Sequence, residues 1–236
     1  YYDLITGEEK TGWSLIGGKW YQFTDSGEMQ IGWVKSKNNW YFLGNNGAMK
    51  TNWFKIGLTW YYAASNGAMQ TGWVKLNNKW YYLNNSGAMR SGWFQVNSTW
   101  YYATSDGAMQ TGWVKLNNKW YFLKNSGAMQ SGWFMNGGKW YYSASSGAMQ
   151  TGWNRIGSKW YFHNSSGAMQ TGWSFVNNKW YYLFNSGQMA SDTTINGYKL
   201  DQNGAWISNQ TSSSPTYING VLIVNKTLHL PSTYAP

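Results

Sequence analysis

The sequence predicts an all-β repeat fold in which two-stranded hairpins stack on one another. Three observations carry that expectation: Trp recurs every twenty residues, each period holds two short aromatic runs around a two-residue turn signal, and a Gly-containing linker follows each pair of runs. Apolar residues do not recur at helical spacing, and Gly and Asn interrupt the chain too often for helices.

The period is regular. Trp13, Trp33, Trp53, Trp73, Trp93, Trp113, Trp133, Trp153 and Trp173 stand twenty apart. Trp20, Trp40, Trp60, Trp80, Trp100, Trp120, Trp140, Trp160 and Trp180 follow them by seven, and a Tyr follows each of these. Nine copies without an insertion indicate a repeat architecture and not a conventional core.

Within one copy, TGWVKLNNKWYYLNNSGAM, Asn77-Asn78 separate two strand-like runs and fit a hairpin turn at positive φ. Gly17-Gly18, Gly137-Gly138 and Gly157-Ser158 occupy the same place and fit it too, whereas Lys37-Asn38 and Gly57-Leu58 match less well and suggest another turn. This register pairs Leu76 with Lys79, Lys75 with Trp80, Val74 with Tyr81 and Trp73 with Tyr82. Alternation then puts Trp73, Lys75, Trp80 and Tyr82 on one face and Val74, Leu76, Tyr81 and Leu83 on the other. Both faces carry aromatic rings, and a lone hairpin cannot bury them, so neighbouring copies must.

Each linker keeps a Gly and a Met, from Gly27 and Met29 to Gly187 and Met189. Gly turns the chain and Met is an apolar plug. Tyr1, Tyr2 and Gly7 match the second half of a copy. NGYKLDQNGAW is a degenerate last copy, with Tyr198 at the place of Tyr181, Gly204 at that of Gly187 and Trp206 at that of Met189. The organisation expected is a repeat array over residues 1–206, followed by a linker and the possible start of a truncated further domain over 207–236.

Composition narrows the function. A fifth of the residues are aromatic, 11% are charged, and the net charge is +10. That balance favours a polyanionic partner, but the Lys residues are too scattered for a nucleic-acid recognition element, so nucleic acid is not expected. There is no Cys, hence no disulfide and no thiolate metal site. No apolar run is long enough to insert into a membrane as a helix. Residues 1–10 lack the features of a signal peptide, and the chain opens within a repeat, which suggests a fragment or a processed form. Two His and eight acids, without zinc-ligand spacing, phosphate loop or nucleophile elbow, argue against catalysis and against a metal. His163 reads as a packed strand residue and not as a base.

Trp at eighteen fixed positions exceeds what packing alone demands. Trp offers the best aromatic face for a cation. Trp73 and Trp80 share one face of their hairpin, and Tyr101 on the next hairpin can close a three-sided box around a methylated ammonium. The second ring of each Tyr-Tyr or Tyr-Phe pair is an alternative third wall.

Gly-Trp, Lys-Trp-Tyr-Tyr and Ser-Gly-Ala-Met over residues 72–89 resemble the choline-binding repeat of surface proteins from pneumococci, related bacteria and their phages, and the resemblance covers residues 1 to about 206. It implies a left-handed β-solenoid that binds choline or phosphocholine between consecutive hairpins. It also implies noncovalent attachment to teichoic and lipoteichoic acids outside the cell, with no cofactor. Two Trp of one copy and an aromatic of the next surround each choline, often with a Met nearby. Carried onto this sequence, the sets are Trp13, Trp20, Tyr41; Trp33, Trp40, Tyr61; Trp53, Trp60, Tyr81; Trp73, Trp80, Tyr101; Trp93, Trp100, Tyr121; Trp113, Trp120, Tyr141; Trp133, Trp140, Tyr161; Trp153, Trp160, Tyr181; and Trp173, Trp180, Tyr198.

Lys35, Lys55, Lys75 and Lys115 beside these sets either attract phosphates or solvate a strand edge. Some such modules dimerise through terminal repeats, which makes a homodimer an expectation here. The alternative function is glucan or other surface-polysaccharide binding, which would need open aromatic platforms with polar neighbours. VNKTLHLPSTYAP resembles the entry to D-alanyl-D-alanine carboxypeptidases of wall-peptidase type. It carries none of their zinc ligands, so it reads either as the entry to an enzyme that lies beyond this chain or as a local tail that pads the last hairpin.

Overall fold

The computed structural model describes residue 7, residues 9–207 and the backbone of 216–218 and 221–223. Two compact units form, one of residues 1–114 with 122–129 and one of 115–121 with 130–236.

The first unit contains β1 (Gly12–Ile16), β2 (Lys19–Phe23), β3 (Gly32–Ser36), β4 (Asn39–Leu43), β5 (Asn52–Ile56), β6 (Thr59–Ala63), β7 (Gly72–Leu76), β8 (Lys79–Leu83), β9 (Gly92–Val96) and β10 (Thr99–Ala103). They form five two-stranded antiparallel sheets, each strand paired with its sequence neighbour. β11 (Gly112–Leu116) and β12 (Lys119–Leu123) fall where the units divide. The second unit has β13 (Gly132–Asn136), β14 (Lys139–Ser143), β15 (Gly152–Ile156), β16 (Lys159–His163), β17 (Gly172–Val176) and β18 (Lys179–Leu183), again as hairpins. Two shorter hairpins follow, β19 (Thr194–Ile195) with β20 (Tyr198–Lys199) and β21 (Thr216–Ile218) with β22 (Val221–Ile223). The stretch expected as a linker thus contributes strand β21, and β22 lies on the apolar run after it. Tyr1, Tyr2 and the remainder of 208–236, including the carboxypeptidase-like segment, lie outside the described residues.

The register is the one the turn signal requires, with Trp73 opposite Tyr82, Val74 opposite Tyr81, Lys75 opposite Trp80 and Leu76 opposite Lys79. Asn77 and Asn78 lie at φ of 48° and 62°, as a type I′ turn demands. Lys37 and Asn38 adopt the same geometry at 45° and 68°, contrary to expectation. A two-residue loop between strands of right-handed twist selects this turn even where Lys must enter left-handed space. Gly57 and Gly157 lie at positive φ while Leu58 and Ser158 do not; the first turn differs as the sequence suggested, but Gly157-Ser158 departs from expectation, because a Gly at the first turn position opens a turn that needs positive φ there alone. Asn52 holds, at φ 59°, the place where other copies have Gly, and Asn tolerates that region better than other residues with a side chain.

The linker folds back on its own hairpin. Leu43 bridges Met49, and the Lys50 amide donates to the Phe42 carbonyl at 2.8 Å. The Met49 amide reaches the previous hairpin and donates to the Trp20 carbonyl at 2.8 Å. Equivalent bonds join Met69 to Trp40, Met89 to Trp60 and Met109 to Trp80 in the first unit, and Met169 to Trp140 and Met189 to Trp160 in the second. These bonds satisfy carbonyls at sheet edges and fix the step from one copy to the next.

The core is the column of residues that end the second strands. Leu43, Ala63, Leu83 and Ala103 are all buried, and their volumes alternate. The alternation is compensated on the same face: Phe54 and Phe94 accompany the alanines, while Val34 and Val74 accompany the leucines. Phe54 fills its slot by stacking between Phe42 of the preceding hairpin at 5.3 Å and its own Tyr61 at 5.7 Å. Large beside small keeps the stack near uniform packing density. In the eighth copy, within the second unit, the pair becomes Asn154 and His163. His163 is fully buried, its Nδ1 is 3.3 Å from the Asn154 amide nitrogen, and its ring lies 5.6 Å from that of Trp133. Burial lowers its pKa to about 4, so the ring is neutral and packed, as the sequence suggested.

Candidate functional site

Strand alternation decides which rings meet across a junction. Trp73 packs against Tyr82 of its own hairpin at 5.0 Å and against Tyr101 of the next at 4.9 Å, with Trp80 6.4 Å away and nearly perpendicular. The first-unit sets repeat this: Trp13–Tyr41 at 4.9 Å, Trp33–Tyr61 at 5.1 Å and Trp53–Tyr81 at 5.0 Å. In the second unit, Trp133–Tyr161 and Trp153–Tyr181 are both 4.8 Å apart and Trp173–Tyr198 is 5.4 Å. Edge-to-face angles of 62–77° leave ring faces available at the junction.

The second Trp completes each set. Trp20, Trp40, Trp60 and Trp80 in the first unit, and Trp140 and Trp160 in the second, expose 40–43% of their surface. An indole half in water is costly unless something covers it. Trp93 and Trp100 keep this relationship at 6.5 Å; Tyr121 and the set Trp113, Trp120 and Tyr141 occupy the same strand positions as in other copies.

One junction shows the whole arrangement. Trp133, Trp140, Tyr161 and Met169 line an open cavity of about 420 Å³, whose rim is finished by Asn185 and Ser186. Tyr161 lines it, while Phe162 packs on Trp153 of its own hairpin at 5.0 Å. The methionine is placed by its backbone bond to Trp140, and the next linker holds its side chain in place: a Cβ on Gly187 would overlap the Met169 sulfur. The methionine is the apolar plug that the repeat predicts, whereas the polar rim, contributed by a loop more than fifty residues after Trp133, has no local signature.

Electrostatically the cavity suits a cation without a counter-charge. Its lining holds four apolar walls and two neutral polar residues. The chain itself shows the attraction, because Lys55, Lys75 and Lys115 place Nζ 5.9 Å from the ring centroids of Trp60, Trp80 and Trp120. Phe175 takes that position in the ninth copy and lies 5.2 Å from Trp180. At the first junction, the Trp13 indole donates to the Ser36 hydroxyl at 3.2 Å. Among the described residues, no group of three or more His, Asp or Glu is placed to hold a metal, and no helix is long and apolar enough to cross a membrane.

Comparison with known proteins places this geometry. A model of the choline-binding repeat matches residues 10–54, 90–131, 111–151 and 150–193. The chain belongs to the choline-binding repeat family. A model of a cell wall binding repeat matches residues 51–69 and 71–89 of the same array. Among solved structures, this choline-binding repeat chain is similar to choline binding protein F from Streptococcus pneumoniae, determined in the presence of a peptidoglycan analogue. The identity is 33%, the TM-score 0.65, and the match covers 84% of this chain and 92% of that one. A structure of the same relative in complex with ipratropium gives 31% identity over 86% and 94% of the two chains, with a TM-score of 0.63. The choline-binding domain of CbpL from Streptococcus pneumoniae is 30% identical over 77% of this chain and all of that one, with a TM-score of 0.56. No curated protein sequence matches. The choline-binding repeats here form an array of stacked two-stranded hairpins.

Proposed function

We propose that residues 1–206 form an extracellular module that holds its protein on a bacterial cell wall by binding phosphocholine groups of teichoic and lipoteichoic acids. Each ligand sits between two Trp of one hairpin and the first Tyr of the next, with the following Met as fourth wall. The observation that carries this reading is the cavity of Trp133, Trp140, Tyr161 and Met169. A trimethylammonium has little hydration to lose and donates no hydrogen bond, so ring faces without a carboxylate suit it.

One box binds weakly, because a few ring contacts must offset the entropy of association. Several boxes on one chain meeting a polymer with many cholines make every engagement after the first intramolecular. Tight attachment that free choline reverses is the consequence. The net charge of +10 adds attraction to the polymer's phosphates.

Retention on a quaternary-amine resin tests the proposal. The chain is expected to bind at moderate salt and to elute with choline. Passage through the resin, or release by dextran but not by choline, would favour polysaccharide stacking instead.

A further inference from the structure

The last aromatic set differs from its predecessors in ways that bear on its ligand. At the equivalent point of earlier junctions a methionine closes the box. Here Trp206 takes that place: its amide donates to the Trp180 carbonyl at 2.8 Å, as the Met169 amide does to Trp140, and it bridges Leu200 as Met189 bridges Leu183. Its ring lies 5.7 Å from that of Tyr198 at 78°, and Tyr198 in turn lies 5.4 Å from Trp173 at 77°. Trp180 is half-buried, while its counterparts Trp140 and Trp160 in the same unit are exposed.

A second feature is electrostatic, and the last set shares it with the copies that carry Leu15, Gln95 and Met135 at the same position. At the position where Lys55 and Lys75 hold an ammonium near the second Trp of their copies, this copy has Phe175. A cation bound here therefore meets no like charge at that place. The terminal hairpin explains why the set is the last, since its two-residue strands bring Tyr198 but no further Trp pair.

We infer that Trp173, Trp180, Tyr198 and Trp206 form a second class of site, an all-aromatic cage that takes a methylated ammonium more tightly than the boxes closed by Met and fills first. The inference rests on reading the junctions as choline sites. A thioether is polarisable but lacks the negative face that an indole turns to a cation. Exchanging Met for Trp adds such a face, and Phe175 spares the site the repulsion that Lys55 and Lys75 bring to theirs.

Calorimetric titration of the whole chain with choline, alongside Trp206→Met and Trp206→Tyr, tests it. Met is the residue that other copies carry here, and Tyr keeps a ring. In the parent chain one site is expected about fivefold tighter than the rest, the worth of one good ring contact. Trp206→Met should keep the number of sites and lose the tight one, while Trp206→Tyr should retain most of it. An unchanged isotherm in Trp206→Met would overturn the inference. So would a gain of one site, which would mean that Trp206 fills the cavity instead of walling it. In either case choline binding at the other junctions would stand. Absence of choline binding in all three proteins would overturn the reading of every junction.

Discussion

The amide of Met169 donates to the carbonyl of Trp140 at 2.8 Å, and the side chains of both residues line the same cavity. The bond that fixes one copy on the next is therefore made by two of the residues that would touch the ligand. Choline between those rings braces a junction that must open when the array unfolds. A ligand bound only by the folded state stabilises it by mass action. Scanning calorimetry should show the thermal midpoint rising with choline into the millimolar range, and not with ammonium chloride at equal ionic strength. An unmoved midpoint at saturation would argue against sites at the junctions.

Trp33 and Trp40 should separate binding from packing. Trp40 is 43% exposed, whereas Trp33 is half-buried among Phe42, Phe54 and Tyr61 at 5.1–6.1 Å. Trp40→Ala is expected to remove one choline per chain at a cost of about 1 kcal/mol in stability. Trp33→Ala should remove the same site and cost about 3 kcal/mol, because it opens a cavity in the stack. Calorimetric stoichiometry together with urea unfolding checks both.

His163 makes the second unit sensitive to acid. Its pKa falls from 6.5 to about 4 on burial, so the unfolded chain takes up a proton more readily than the folded one. Its contribution is complete above pH 6.5 and is lost as pH falls through 4. The fall from 6.5 to about 4 corresponds to about 3 kcal/mol. Replacing the pair by Val at 154 and Leu at 163, the combination in the second, fourth and sixth copies, should flatten the dependence of stability on pH between 7 and 4 relative to the parent chain. Retention of the full slope would show that other groups carry it.

Two glycines at positive φ should differ sharply when changed to Ala. Gly72, at φ 74°, has nothing within 4 Å of an added Cβ, so Gly72→Ala costs backbone strain alone, about 1 kcal/mol. At Gly107, at φ 84°, a Cβ would overlap the Met89 sulfur. Gly107→Ala must also displace Met89, whose amide holds the Trp60 carbonyl. It should cost more stability than Gly72→Ala and weaken choline at Trp53, Trp60 and Tyr81. Equal effects in unfolding and titration would contradict this.

The period, the hairpin register and the contact of Trp73 with Tyr101 were legible because they follow from side-chain alternation about a two-residue turn. Lys37-Asn38 misled because turn propensity is a local quantity, while the twist of the flanking strands sets the geometry. The bond from Met169 to Trp140 left no trace in the sequence, since a backbone amide and carbonyl twenty-nine residues apart carry no residue code. The exchange of Phe with Ala for Val with Leu was visible in the letters, but it gained meaning only when both positions proved to face the same buried column. Trp206 was aligned correctly with Met189, yet its ring contact with Tyr198 depended on where the shortened hairpin put that tyrosine.

The most direct test of the central claim is a crystal of the chain soaked in choline. Trimethylammonium density is expected between Trp133, Trp140, Tyr161 and Met169, with the hydroxyl end toward Asn185 and Ser186. Density that is absent there, or that lies against Phe162 and away from Tyr161, would contradict it.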